Sequence, residues 1–474
     1  MQLRAFTVPQ EKISLYLVFI FFIALTFFCR DIPFFWDEVY YIGTAFHIYD
    51  SNFQSIIPPL EYDRGNFPFY GFYMACWWKV FGKTLAVSHI AMLPVLLGIA
   101  WEYYLLAKKI ISEKWIPFAL LLLVLEPTFI TQSILMGHDV FLLYFFLLSV
   151  RALCYGKKNL YAFSFCLLAF HNIKGIPIAF ALGFFYFIYK KNILLTKINA
   201  KEFLIHICPF ALWGLWMLYH YQVAGWYIFT PINDYGNGVH LDASLLKRIV
   251  LGIWQITDFG RMFLWLFIAG VLLIFRKKIF SEKLYPFLVL IFILSVLSLL
   301  FFAFLDINLC HRYFMPVFLL VNLVACAFLA EFIKGKLFQY LIFGLLYAGL
   351  ITGNLWLYGG GFSNGWDSSL KVLPYFKLKN AMNTYVKEKK INPSEVGTKF
   401  PLFHDIKCSR LSTENFHFTD IDASSLTDFQ YLLLSNVSNE FTVQEKETVN
   451  NEWKLEKEFH SGLVYLKLFK NKKE

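Results

Sequence analysis

The sequence predicts a polytopic α-helical membrane protein with a small α/β domain at its carboxyl end. The 474 residues are 58% hydrophobic and include 55 phenylalanines, which no soluble core of this size would accommodate. Apolar runs long enough to cross a bilayer recur along the chain as far as residue 356. From about residue 359 the composition changes abruptly to that of a water-soluble domain.

About eleven helices are predicted to cross the membrane. The first covers residues 13–28 and resembles a signal peptide in charge and length, but no small-residue cleavage site follows it, so we expect an uncleaved helix. Two of the other segments are short and could be broken helices or partial crossings. The other ten segments are residues 85–107, 115–133, 140–151, 160–172, 176–189, 203–221, 249–275, 284–305, 313–332 and 337–356.

Basic residues predict the orientation of these helices. The net charge of +10 arises in short clusters between apolar runs, among them residues 108–114, 190–201 and 276–283. Loops of this kind are cytoplasmic under the positive-inside rule, which places the carboxyl-terminal section outside after an odd number of spans. We therefore expect an integral protein of the bacterial inner (cytoplasmic) membrane that contacts membrane lipids and has no nucleic-acid partner.

The first outer loop, residues 30–84, is predicted to contain two helices that lie on the membrane surface. Residues 37–50 have one apolar stripe at helical spacing, and residues 67–81 are rich in Trp and Tyr, which favour the level of the lipid headgroups. The alternative, a short hairpin that enters the bilayer, would leave several basic side chains in need of partners. The stripe consists of Val39, Ile42, Phe46 and Tyr49.

Residues 359–474 are predicted to form a soluble extracytoplasmic α/β domain, following a membrane domain of residues 1–358. We expect it to contact an acceptor or to stabilise the membrane domain, because it contains no glycine-rich phosphate loop and no acidic dyad. Its expected elements are a helix over 370–390, strands over 395–400 and 431–435, a helix over 443–451 and a hairpin over 453–469.

Acidic residues at the outward ends of the spans predict a polar site on that face. Asp37 and Glu38 follow the first span, and Asp139 begins a later one beside His138. Charge is costly to bury at a membrane, so such groups usually have a function, although acids at a helix amino terminus also favour the helix dipole. Because His138 is more often a wet interfacial histidine than a ligand, it makes with Asp139 an incomplete metal site. A divalent cation is thus left open and not indicated.

Four stretches of the chain have a family resemblance. They are Trp36-Asp37-Glu38 with Tyr40-Tyr41, residues 66–70 leading to Phe81-Gly82, Glu126-Pro127-Thr128-Phe129 to His138-Asp139, and His311-Arg312-Tyr313 to Pro316. In order and spacing they resemble the membrane glycosyltransferases of the C fold, with the protein O-mannosyltransferases and the lipid A aminoarabinose transferases as nearest relatives. The chain departs from that pattern at Gly65-Asn66, where the family commonly has His or Lys before two prolines.

The resemblance implies a C-type glycosyltransferase fold and transfer of a sugar from a dolichyl- or undecaprenyl-phosphate donor, with inversion at the anomeric carbon. The acceptor would be a glycan, a lipid or a protein on the outer face. The resemblance places the catalytic base at Asp37. Glu38 would bind the acceptor or orient a neighbour, and Asp139 would hold a sugar hydroxyl or a metal ion.

Three cations are expected at the same face and are candidates for binding the lipid-linked phosphate. Arg64 lies in the first loop, Lys174 at a turn between two spans, and Arg312 at the edge of a late span. A guanidinium binds phosphate through two parallel hydrogen bonds, and positive charge stabilises a departing phosphate. The alternative is that these side chains only extend to the lipid headgroups.

Two other functions fit a chain of this kind. A C-fold glycan polymerase or ligase would use a diphosphate-linked donor. A transporter or lipid flippase would need charged groups through the middle of the membrane and some repeat symmetry. The sequence has no evident internal repeat and its charges cluster at one face, which favours a transferase.

Overall fold

The computed structural model describes residues 9–192, 200–227, 231, 243–279, 284–305, 309–356, 365–414, 416–421, 425–437 and 441–472. In these ranges the membrane domain contains fifteen α-helices. They are α1 (Gln10–Cys29), α2 (Glu38–Asp50), α3 (Phe69–Phe81), α4 (Leu85–Ile110), α5 (Ile116–Leu125), α6 (Pro127–Ile134), α7 (Asp139–Cys154), α8 (Lys158–His171), α9 (Gly175–Asn192), α10 (Ala200–Ala224), α11 (Ala243–Thr257), α12 (Arg261–Ile279), α13 (Tyr285–Phe304), α14 (Met315–Phe332) and α15 (Lys336–Gly353).

All eleven segments predicted to cross the membrane are helical. Within the described chain, six helices are long and apolar enough to cross a bilayer alone, and two bent pairs bring the number to eight. The remaining three segments correspond to α7, α8 and α9, with 16, 14 and 18 residues. The 20 residues of α1 extend about 30 Å, which matches the hydrocarbon core of a bilayer. These helices are those of an integral membrane protein.

Two of the predicted spans are not single straight helices, which corrects the sequence analysis. The predicted span 115–133 bends by 57° between α5 and α6, because Pro127 has no amide hydrogen with which to continue the helix. The predicted span 249–275 bends by 88° between α11 and α12. There Phe259 and Gly260 adopt φ angles of 49° and 80°, in the left-handed region that ends a right-handed helix.

The break between α11 and α12 packs directly on α15. A Cβ atom at Gly353 would lie 2.0 Å from the carbonyl oxygen of Phe259, and one at Gly260 would lie 1.9 Å from the carbonyl oxygen of Gly349. The two backbones are therefore in contact, and glycine at these positions is a steric requirement. This contact fixes the polar residues on either side of the break.

The two helices predicted in the first outer loop are confirmed as α2 and α3. Val39, Ile42 and Phe46 of the predicted apolar stripe are buried. The ring of Phe46 packs edge-on against that of Trp78 in α3, with 5.5 Å between the ring centroids. Because its apolar side is held in this way, α2 presents its first turn, which follows Asp37, to the rest of the molecule.

The carboxyl-terminal domain is a mixed sheet with helices, and every element predicted for it is present. Strand order is β2-β1-β3-β5-β4, with β1 parallel to β2 and β3, and β5 antiparallel to β3 and β4. The short elements α17 and β2 had not been predicted, and the predicted boundary at 358/359 lies outside the described residues. The elements are α16 (Leu373–Glu388), β1 (Val396–Thr398), α17 (Ile406–Arg410), β2 (Thr419–Asp420), β3 (Tyr431–Ser435), α18 (Val443–Glu452), β4 (Trp453–Ser461) and β5 (Val464–Asn471).

The hydrophobic core of the carboxyl-terminal domain includes residues of the membrane domain. Phe35, Trp36 and Leu135 belong to the same buried cluster as Tyr375 and Phe376 of α16. The ring centroid of Phe35 lies 4.9 Å from that of Tyr375 and 5.3 Å from that of Phe376. The two loop segments that lead to the predicted acidic residues are therefore held by the core of the carboxyl-terminal domain.

The contact between α15 and the α11–α12 break generates a stability prediction. Gly353→Ala places a methyl group against a backbone oxygen that cannot rotate away, and we expect it to lower stability by about 1–3 kcal/mol. Gly344 lies on the same helix, and no neighbouring atom lies within 4 Å of the position that a Cβ would take there. We therefore expect Gly344→Ala to be neutral or stabilising by up to about 1 kcal/mol. Thermal unfolding in detergent compares the two, and equal transition temperatures would contradict the assigned contact.

Candidate active site

A single buried arginine gathers four carboxylates at one end of the helical bundle. Arg312 lies on the 3-10 turn His311–Phe314 that leads into α14, and its side chain is only 3% exposed. Its guanidinium pairs with Asp37 through Nη2. Its Nε lies 3.2 Å from Oδ2 of Asp139 and 3.9 Å from Oδ2 of Asp367. Its Nη1 lies 3.9 Å from Oε2 of Glu38.

A second set of contacts joins the same carboxylates through Lys174 and His138. Nζ of Lys174 donates to both carboxylate oxygens of Asp139, at 3.1 and 2.9 Å, and to Nε2 of His138 at 3.1 Å. Nδ1 of His138 lies 3.2 Å from Oε1 of Glu38, and its Nε2 also lies 3.3 Å from Oδ1 of Asp139. His138 is thus fully buried, and the expectation of a wet interfacial histidine is wrong.

The adjacent acids Asp37 and Glu38 have different surroundings. Asp37 is 41% exposed at the start of α2, whereas Glu38 is 1% exposed. Within the described residues, Asp37 is the residue before the first turn of α2, and its side chain accepts no capping hydrogen bond from that helix. Burial raises the pKa of Asp37, but the positive charges of Arg312 and Lys174 outweigh this and hold the pKa below its usual value. Asp37 is therefore an ionised carboxylate that a ligand can reach.

Strained backbone precedes both acidic segments. Trp36 and Met136 have φ angles of 49° and 57°, a conformation that costs a non-glycine residue on the order of 1–3 kcal/mol. Trp36 is held in the core of the carboxyl-terminal domain, and the hydroxyl of Tyr70 donates to the carbonyl oxygen of Met136 at 2.7 Å. Surrounding contacts therefore maintain the unusual turns that aim Asp37 and His138 into the cluster.

Arg64 lies at the edge of this cluster. Its guanidinium stacks on the ring of Tyr40 at 3.7 Å, and among the described residues it forms no ion pair with a carboxylate. The loop that carries it is tied to the turn of Lys174, because Oδ1 of Asn66 accepts from the backbone N–H of Ile173 at 2.9 Å. The departure from the family pattern at Gly65-Asn66 thus supplies a contact that joins the two loops.

The loop of Arg64 is also held on its other side. Oδ1 of Asp63 accepts from the N–H of Gly65 at 2.9 Å, and Oδ2 of Asp63 pairs with Nε2 of His220 in α10 at 2.9 Å. The indole of Trp216 donates to the carbonyl oxygen of Gly65 at 3.1 Å. These contacts fix the backbone on both sides of Arg64 and leave its side chain directed at Tyr40.

A further buried charge network adjoins the cluster and was not predicted from the sequence. Nε of Arg261 donates to Oε1 of Glu126 at 2.8 Å, and its Nη1 lies 3.3 Å from Oδ1 of Asp258. Oδ2 of Asp258 lies 2.7 Å from Nε2 of His311, the residue before Arg312. The network thus connects the two bent spans to the turn that carries Arg312. The sequence did contain a signal for this network, because its polar residues lie beside a proline or a glycine between apolar runs.

All seven predicted site residues lie in one region, together with a fourth carboxylate, Asp367. Four carboxylates lie around the ammonium of Lys174 and the guanidinium of Arg312, with Arg64 at the edge of the cluster. Asp367, the fourth carboxylate, was missed because it lies far along the chain, just before α16. The cluster thus brings carboxylates and cationic side chains from distant parts of the chain into direct contact.

The residues present do not fit a resident divalent cation. Among the described residues, no group of three or more His, Cys, Asp or Glu side chains is arranged to hold a metal ion. Both oxygens of Asp139 and both ring nitrogens of His138 have partners within the protein.

Comparison with known proteins establishes the fold. No protein-family profile matches the sequence, and no curated protein matches it. The structure is similar to the crystal structure of ArnT from Cupriavidus metallidurans bound to undecaprenyl phosphate, with a TM-score of 0.54 and 11% sequence identity. The match covers 96% of this chain and 97% of that chain. The chain therefore has the C-type fold of membrane glycosyltransferases, as the sequence predicted.

The pairing of Lys174 with Asp139 generates a prediction about stability. Lys174→Met removes the closest cation from a buried carboxylate, and we expect a loss of about 3–5 kcal/mol. Adding Asp139→Asn to this variant removes the unpaired charge, so the double variant should regain part of the loss. Thermal unfolding of the three variants in detergent measures the coupling, and strictly additive losses would contradict the pair.

Proposed function

We propose that the protein transfers a sugar from a polyprenyl-phosphate donor to an acceptor hydroxyl or amine, with inversion at the anomeric carbon. The observation that carries this proposal is the exposed, ionised carboxylate of Asp37 paired with the buried guanidinium of Arg312. The fold is that of ArnT, whose crystal structure has undecaprenyl phosphate bound, which supports a lipid-linked phosphate as the donor group.

Asp37 acts as the base in this proposal. The acceptor atom forms the new bond to the anomeric carbon, the bond from that carbon to the phosphate oxygen breaks on the opposite face, and the acceptor proton passes to Asp37. A carboxylate with a low pKa is a weak base. A phosphate that binds nearby offsets part of the positive charge around Asp37, and this raises its proton affinity once the donor is bound.

Arg312 holds Asp37 in place and stabilises the departing phosphate. Among the described residues, its Nε–H has no hydrogen-bond partner although it lies 3.2 Å from Asp139. That N–H is buried against Asp139, so the guanidinium acts on the phosphate through its positive charge. Arg64 supplies a second positive charge, since it forms no ion pair within the described chain. Developing negative charge in a partly buried site is stabilised most by such fixed donors.

Glu38, His138, Asp139 and Lys174 position these groups. Glu38 is too buried to reach an acceptor directly, and its hydrogen bond to His138 fixes the first turn of α2. Asp139 forms ion pairs with both Lys174 and Arg312, so it fixes the position of the guanidinium. We assign the site to the outer face of a bacterial inner membrane, because the basic clusters of the sequence lie at the opposite ends of the helices.

Removing the base is the direct test. Asp37→Asn keeps the shape of the side chain but cannot accept a proton, and we expect transfer to fall by about 10²–10⁴-fold. Asp50→Asn, an exposed acid at the end of the same helix, should transfer at the wild-type rate. The assay gives purified protein separate panels of polyprenyl-monophosphate and polyprenyl-diphosphate sugars, together with membrane extract. Full activity of Asp37→Asn would remove the base assignment, and wild-type transfer only from diphosphate donors would favour a polymerase or ligase.

The lowered pKa of Asp37 predicts the pH below which kcat/KM falls on the acidic side of the pH profile. A carboxylate with a depressed pKa stays ionised as pH falls through the usual Asp range near about 3.9, so kcat/KM should fall only below that range. Arg64→Gln removes one of the positive charges that depress the pKa, and it should move the acidic limb to higher pH. The pH dependence of kcat/KM measures the shift. A limb that stays in place or moves to lower pH would contradict the charge assignment.

A further inference from the structure

Helix α11 lies nearly at right angles to the helix that follows it. The bend between α11 and α12 is 88°. The 19 residues of α12 extend about 28 Å, close to the thickness of the hydrocarbon core of a bilayer. Its last turn contains Arg276, Lys277 and Lys278, which the positive-inside rule places on the cytoplasmic side. Because α12 alone is long enough to cross the membrane, α11 extends sideways from the outer end of that crossing.

One side of α11 is fixed to the outer link between α13 and α14. The guanidinium of Arg248 donates to three carbonyl oxygens within residues 302–305, at 2.9, 3.0 and 2.7 Å. Two turns further along α11, Nε2 of Gln255 donates to the carbonyl oxygen of Leu309 at 2.9 Å. These contacts follow the connection between two spans and not the side of either span. The helix therefore lies across the outer ends of its neighbours.

The same side of α11 is also closely packed. A Cβ atom at Gly252 would lie 2.3 Å from Cδ1 of Leu299 in α13, so the helix approaches α13 more closely than a larger residue would allow. Just beyond the end of α11, Oδ2 of Asp258 lies 2.7 Å from Nε2 of His311. The position of α11 is thus tied to the turn that carries Arg312.

The opposite side of α11 is apolar and exposed. Leu246, Val250 and Ile253 recur at intervals of four and three residues, so they lie on one face of the helix. They are 68%, 57% and 50% exposed, and we call them the apolar stripe. The polar side chains of the helix face the protein instead, which is the reverse of a helix on a water-soluble surface. The stripe therefore calls for an apolar environment.

The residues beside the apolar stripe are those that suit a lipid surface. Lys247 is exposed at one edge, where its ammonium can reach anionic headgroups while the stripe enters the acyl region. Trp254 lies at the same edge and is 41% exposed, and tryptophan favours the boundary between headgroups and acyl chains. An apolar stripe bordered by a basic and an indole side chain is complementary to an anionic bilayer surface.

We propose that α11 lies in the plane of the outer membrane surface, with the apolar stripe inserted among the acyl chains of the outer leaflet. Bilayer lipid, and not a protein, is thus the partner of the exposed face. This docking does not depend on the proposed function. Through the contact of Asp258 with His311, the docked helix holds the turn of Arg312 at the level of the lipid headgroups. That is the level at which a lipid-linked phosphate lies.

The depth of single residues in a bilayer tests this orientation. Spin labels are attached to Leu246→Cys, Val250→Cys and Ile253→Cys in the full-length protein, in a background in which the four cysteines that are not buried are replaced by alanine. The protein is reconstituted in bilayers of phosphatidylethanolamine and phosphatidylglycerol. Electron paramagnetic resonance compares access of oxygen, which concentrates in lipid, with access of a water-soluble nickel chelate. We expect depths of about 5–10 Å that differ by less than about 4 Å.

Helix α15 supplies a matched control. Leu337 and Leu345 are 69% and 54% exposed on a helix that is long and apolar enough to cross the membrane alone. They are eight residues apart, so labels on Leu337→Cys and Leu345→Cys should differ in depth by about 12 Å. The background protein without an added cysteine should give no label signal.

Three results would overturn the proposal. A change in depth of about 10 Å between Leu246 and Ile253 would mean that α11 crosses the bilayer. Labels reached mainly by the nickel chelate would place the stripe in water. Labels reached by neither reagent would mean that a protein, such as a second copy of this chain, covers the stripe. Equal depths in a protein that transfers no sugar from any donor would leave the docking standing and reject the transferase alone.

Discussion

The buried guanidinium of Arg312 is the constraint on which the rest of the site depends. A charge removed from water costs several kcal/mol unless it is paired, and Arg312 is paired with carboxylates from three distant parts of the chain. Asp37 comes from the first loop, Asp139 from the start of α7 and Asp367 from the segment before α16. Because the three carboxylates share one guanidinium, the arginine couples the placement of all three segments.

The carboxyl-terminal domain is structurally part of this arrangement. Its core takes in Phe35, Trp36 and Leu135, so the loops that carry the acids fold against the domain as well as against the bundle. The strained turn at Trp36 persists because that core surrounds it. The same domain places Asp367 against Arg312 and His404 against Tyr40. Its role in the account is therefore to complete the site, and to hold the loops in the orientation that the chemistry needs.

Local patterns in the sequence determined much of this structure. Apolar length identified the spans, the strand Tyr431–Ser435 was expected where it is found, and the acidic pair after the first span drew attention to Asp37. The bends at Pro127 and Gly260 were missed because the apolar runs on either side of each break add up to the length of a single span, although Glu126, Asp258 and Arg261 interrupt them. The burial of His138 and the contributions of Asp367 and His404 were missed for another reason. They depend on contacts between different elements of the chain, such as His138 with Glu38 and Lys174 and Asp367 with Arg312, which no periodicity or spacing encodes.

The most direct test of this account is the structure of the protein with undecaprenyl phosphate bound, determined by cryo-electron microscopy. The account predicts the phosphate beside Asp37, within hydrogen-bonding distance of Arg312 or Arg64, and with the lipid chain directed along the helical bundle. A phosphate bound away from Asp37 would contradict it. So would a lipid that contacts only the membrane-spanning helices and leaves Asp37 exposed to solvent.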